Sequence, residues 1–168
     1  MAISSDYEDL FSVFNKYKVR YLLVGAYAVI YYTEPRFTKD IDIWIKPDLK
    51  NANNLYRALK TFGAPLKDIS IEDFTNKRLI YQIGLPPVRV DIIMALGGLN
   101  FNSAWRGRKR SKYGTVPINI LGLKELIKSK KRMARKQDLL DLDKLSAMLK
   151  KKDKGKNKRK VKTKRRRR

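Results

Sequence analysis

The chain has 168 residues and 43% hydrophobic content, enough for one domain with a sizeable core. Its formal charge of +24 points to a polyanionic partner, nucleic acid before an acidic membrane surface. Cysteine and histidine are absent, which excludes disulfides, thiolate or histidine-ligated metals, cysteine nucleophiles and Ser-His-Asp triads. Chemistry is left to carboxylates, lysine, hydroxyls or an oxygen-bound Mg²⁺, Mn²⁺ or Ca²⁺.

The N-terminus, MAISSDYEDL, is acidic and has no secretory pattern. The longest uncharged apolar run, YLLVGAYAVIYY, is 12 residues, too short to span a bilayer. Both features read as a cytoplasmic protein with no membrane partner. Residues 4–17 carry Ser caps, early acids and a Leu10, Phe11, Phe14 stripe, which predicts a helix. Residues 20–24 (RYLLV) predict a buried strand, Gly25 a break, and AYAVIYYTE a short helix. After the loop EPRFT, DIDIWIK predicts a strand, and Pro47-Asp48 starts a helix to about residue 61. Residues 78–84 and 88–94 predict two strands joined by Leu85-Pro86-Pro87, antiparallel neighbours because the connection is short. The stretch from Ala95 to Thr115 reads as loop with one helical turn, residues 116–120 as a last strand, and 122–133 and 136–150 as helices. From Lys150 the composition changes to fourteen basic residues, one acid and one aliphatic. Such a segment cannot bury a core. The expected division is a domain over 1–149 and a disordered Lys/Arg-rich tail over 150–168.

FTKDIDIWIK, residues 37–46, raises the chemical question. Asp40 and Asp42 alternate with Ile41, Ile43 and Ile45, so they leave one face of a strand about 7 Å apart. They are either ordinary solvent-facing charges or a pair that needs a cation. Asp91, in VRVDIIM, lies in a second apolar strand. If that strand pairs beside the first, three carboxylates converge and must take up protons or bind a divalent ion. Gly25, between strand and helix, presents free N–H groups suited to a phosphate.

The order strand, Gly, short helix, Asp-x-Asp strand and later strand Asp resembles the DNA polymerase β-like nucleotidyltransferase superfamily. VGAYAVIYYTEPRFTKDIDIWI and LIKSKKRMARKQDLLDLDKL are similar to its small prokaryotic branch, related to abortive-infection toxins. The resemblance covers about residues 19–149. It implies an α/β fold, a mixed sheet flanked by helices with a C-terminal helical pair. It implies Asp40 and Asp42 as catalytic ligands for Mg²⁺ or Mn²⁺, Asp91 as the third carboxylate, a metal ligand or the base near the acceptor hydroxyl, and an NTP as substrate. Gly25, Arg36, Thr38, Lys130 and Arg135 match its nucleotide-binding positions, and Ala26 occupies the position after Gly25 in the phosphate turn. Ala26 departs from the Gly or Ser usual in the superfamily. Read by charge alone, Arg36 serves equally to neutralise the two aspartates, Lys130 and Arg135 belong to a solvated basic helix, and Asp138 and Asp141 pair with Lys and Arg.

WRGRKRSKY offers Trp105, Arg106, Arg108, Lys109 and Arg110 as a nucleic-acid surface through stacking and phosphate contact. The same residues also suit a charged loop whose Trp is anchored in the core. The expected activity is transfer of an NMP from an NTP to an acceptor hydroxyl, on RNA or tRNA or on a protein partner, with a place in a toxin–antitoxin pair. The alternatives are a catalytically silent fold that binds nucleic acid or a partner, and a basic ribosome- or chromatin-type protein.

Overall fold

A computed structural model describes residues 5–86 and 88–165, those from 152 onward as backbone only. In chain order the elements are α1 (Ser5–Lys16), β1 (Tyr21–Leu23), α2 (Gly25–Tyr32), β2 (Asp40–Ile45) and α3 (Leu49–Phe62). A 3-10 turn at Glu72–Thr75 leads into β3 (Ile80–Ile83) and β4 (Arg89–Ile93). Next come α4 (Phe101–Arg106), β5 (Lys109–Tyr113), β6 (Val116–Ile120), α5 (Leu123–Met133) and α6 (Lys136–Arg165).

The strands form one six-stranded mixed sheet in the order β3-β4-β2-β1-β6-β5. β2 runs parallel to β4 and antiparallel to β1, β1 runs parallel to β6, and the hairpins β3–β4 and β5–β6 close the two edges. The sheet therefore has two differently built faces. Cross-strand partners share a face. Tyr21 opposes Ile45 and packs on Phe11 and Phe14 of α1, so Ile41, Ile43 and Ile45, all fully buried, belong to the α1 side. Asp40, Asp42 and Trp44 take the other side. There Trp44 meets Phe101 of α4 edge-on, and Gly25 at the start of α2 lies against Asp42.

Local sequence explains most of these elements. In α1, Asp6 and Glu8 sit in the first turn and Tyr7, Leu10, Phe11 and Phe14 form the buried stripe. Asp48 caps α3 by accepting from the Asn51 N–H at 2.8 Å, and Gly63 ends it in the left-handed region.

Two expectations differ from the structure. The segment read as loop with one helical turn holds that turn as α4 but also a full strand, β5. Its cations Lys109, Arg110 and Lys112 are exposed on an edge, where charge discourages further strand pairing. From residue 150, where a disordered tail is expected, α6 continues to Arg165. Lys and Arg are good helix formers and no proline interrupts them, so the segment is compatible with a helix. Among the described residues no helix is long and apolar enough to cross a membrane.

Candidate active site

The parallel register of β2 and β4 builds the site. Asp42 is directly opposite Asp91, and Asp40 is opposite Arg89. All four side chains therefore leave the same face. Arg89 was not singled out by the sequence reading, yet it is central. Its Nη2 donates to Asp40 Oδ2 at 2.5 Å and to Asp91 Oδ2 at 3.2 Å, while its Nε lies 3.0 Å from Asp91 Oδ1. The only hint was an Arg two residues before the aspartate in VRVD. Gln82 of β3 adds a bond from Nε2 to Asp91 Oδ1 at 3.1 Å.

Asp42 differs from its neighbours because it has no ion pair among the described residues. Burial first, then the charges of Asp40 and Asp91, push its carboxyl up to about 6; Lys130 and Arg135 pull the other way. Gly25 explains how the carboxylate is accommodated. A Cβ there would lie 1.8 Å from Asp42 Oδ2, and the residue has a φ of +59°. Only glycine satisfies both conditions. Ala26 follows in the first turn of α2, and its methyl offers no hydrogen bond. Thr38 Oγ1 donates toward Asp40 O at 3.2 Å and Oδ1 at 3.3 Å, fixing the start of β2.

Chemically, the donor set fits a hard divalent ion. Three carboxylates share one face, and the unpaired one is destabilised by the other two, a repulsion that a dication relieves. As the side chains stand, no group of three His, Cys, Asp or Glu among the described residues encloses a metal position. Two of the three carboxylates, Asp40 and Asp91, are paired with Arg89.

The other residues expected at the nucleotide form a second cluster. Arg36 makes a two-pronged ion pair with Asp141 at 2.7 and 3.1 Å. Lys130, itself buried, contacts Asp138 at 2.6 Å and Asp141 at 2.9 Å. The pairing expected of Asp138 and Asp141 is thus present, with partners from α5 and the α2–β2 loop. It is Arg89, not Arg36, that neutralises the strand aspartates. The Arg135 N–H donates to Asp138 Oδ2 at 3.2 Å, while its guanidinium has no ion pair among the described residues and acts on Asp42 through space.

In the basic segment, the Trp105 ring stacks on Phe101 with centroids 5.9 Å apart, and the Arg108 guanidinium lies 4.0 Å from the Trp105 centroid. Arg108 also donates to Asn119 Oδ1 at 3.0 Å and to the Trp105 carbonyl at 2.7 Å. Trp105 and Arg108 therefore anchor the segment. Arg106 reaches Ser103 Oγ, and Lys109 and Arg110 project into solvent.

No protein-family model and no curated protein matches this sequence. Among solved structures, the lincosamide antibiotic adenylyltransferase LnuA, in its lincomycin-bound form, superposes with a TM-score of 0.51 at 14% identity, covering 88% of this chain and 99% of that one. At that identity the likeness is one of fold, and the mixed sheet with its flanking helices is nucleotidyltransferase-like.

Proposed function

We propose that this protein is a nucleotidyltransferase that moves an NMP from an NTP to an acceptor hydroxyl, with release of pyrophosphate. One observation carries the reading: the register that sets Asp42 against Asp91, with Asp40 two residues away on the same face. Asp40, Asp42 and Asp91 would hold Mg²⁺ or Mn²⁺. When bound, the ion supplies charge stabilisation to the attacking and leaving oxygens. The chain's own residues do the remainder. Thr38 orients Asp40, Gln82 orients Asp91, and Gly25, having no side chain, lets the Asp42 carboxylate lie against the start of α2, whose free N–H groups suit a phosphate. Arg135, its guanidinium unpaired among the described residues, is placed to contact that phosphate. Lys130 and Arg36 lock α5, α6 and the α2–β2 loop around the site.

The exposed cations Arg106, Lys109 and Arg110, with the basic C-terminal segment, favour RNA, including tRNA, as acceptor or docking partner. A protein hydroxyl, within a toxin–antitoxin pair, is the other acceptor class, and the cytoplasm is the setting. A second reading is favoured by the double ion pair of Arg89: a silent nucleotidyltransferase-like fold in which a guanidinium permanently replaces the metal.

The two separate by incubation with each radiolabelled NTP, Mg²⁺ or Mn²⁺, and total RNA or lysate. Label transfer abolished by Asp42→Asn supports the enzyme. Label transfer unchanged by that substitution removes the site, and no transfer with any NTP favours the silent fold.

A further inference from the structure

Arg89 is held where it is by backbone register. It opposes Asp40 across the β2–β4 pair and precedes Asp91 by two residues, so its side chain must emerge among the three acids. Its guanidinium bridges Asp40 and Asp91, while Asp42 has no such partner among the described residues. The side chain is 31% exposed, which leaves a path outward to solvent. A surface Arg normally pairs with one carboxylate; this one is shared by two that a metal would also need.

We propose that Arg89 is a resident counter-cation of the acid cluster, and that its docking and the loading of a divalent ion are mutually exclusive states of the same carboxylates. This rests on reading Asp40, Asp42 and Asp91 as metal ligands. A divalent ion held by these carboxylates would need the oxygen lone pairs that now accept the Arg89 N–H groups. The two cations also repel at such separations. Each therefore weakens the other by the same factor. The arrangement holds the acids in register without metal, and it penalises metal loading in the absence of substrate. An incoming triphosphate reverses the balance, because it adds oxygen ligands for the ion and gives the released guanidinium a new anion to fork.

The test is nucleotide-free Mn²⁺ binding, followed by the electron paramagnetic resonance signal of free Mn²⁺. Wild type is compared with Arg89→Ala, Arg89→Gln and Lys39→Ala. Lys39 is an exposed cation adjacent to Asp40 with no ion pair among the described residues. Removing Arg89 should tighten Mn²⁺ binding about tenfold, within the usual range of coupling between ligands. Lys39→Ala should change it less than about twofold, as expected of a screened surface charge. Equal affinity in wild type and both Arg89 variants overturns the proposal. So does an equal gain from Lys39→Ala, which would reduce the effect to general charge. Absence of Mn²⁺ binding in every variant overturns instead the metal-ligand reading beneath it. Thermal melts check folding: Arg89→Ala should melt below wild type in EDTA and regain the difference in saturating Mn²⁺. Should Arg89→Ala not fold, Arg89→Gln carries the comparison.

Discussion

Asp42 is a residue held against its own electrostatic interest. Its carboxyl is raised to about 6 from an ordinary value of 3.8, so the folded state takes up its proton more readily than the unfolded chain does. The sign follows: between about pH 4 and pH 6 the fold loses stability as pH rises, and above pH 6 the full penalty is in place. Asp42→Asn removes the charge. In EDTA at pH 7 the variant should gain about 1–3 kcal/mol over wild type, and urea titrations should show that gain shrinking to nothing near pH 4. A variant less stable than wild type at pH 7 would contradict the strain assigned to this carboxylate. Gly25 is the complementary case, a position where a side chain is forbidden. Gly25→Ala faces a left-handed φ costing about 1–2 kcal/mol and a Cβ placed 1.8 Å from Asp42 Oδ2. It should lower the melting temperature and cut label transfer by about 100-fold, as displacement of reacting groups typically does. Melts and single-turnover transfer on the same preparation measure both effects.

At the scale of elements, α5 and α6 are joined to the α2–β2 loop by buried charge. Asp141, its side chain 2% exposed, receives Arg36 on two bonds and Lys130 on a third contact. Asp141→Ala would leave Arg36 without a carboxylate and Lys130 with Asp138 alone, a loss of about 3 kcal/mol of the kind seen when one member of a buried ion pair is removed. Glu34→Ala, which deletes only an exposed contact to Lys144 at 3.8 Å, should not measurably change the denaturation midpoint. This level also marks what the sequence makes legible. β2 is readable because Ile41, Ile43 and Ile45 alternate with Asp40 and Asp42 within six residues. α3 is readable because Asp48 and Gly63 punctuate it. β5 is not, because an edge strand that buries little beyond Tyr113 can be written in Lys, Arg and Ser, the vocabulary of a loop. Arg89 is not either. Its importance comes from a contact with Asp40 across 49 residues of chain, and no local pattern states which strands will be neighbours. The acids are visible as candidates; the cation paired with two of them appears only with the register.

For the whole molecule, charge is unevenly distributed. Residues 150–168 hold fourteen cations and one acid, a net +13 of the total +24, and leave +11 on residues 1–149. By composition, residues 150–168 carry one aliphatic among fourteen like charges, too little apolar surface to contribute to a core. Their removal should therefore leave the melting temperature of residues 1–149 unchanged. Binding to a single-stranded RNA is where the loss should register. Each phosphate neutralised contributes about 0.7 to the slope of log affinity against log salt. If half of the fourteen cations engage, deletion of 150–168 should flatten that slope by about 5 and weaken binding most at low salt. A truncated protein with an unaltered salt slope would move the polyanion contact onto the folded domain, with the exposed edge at Lys109 and Arg110 as the next surface to mutate.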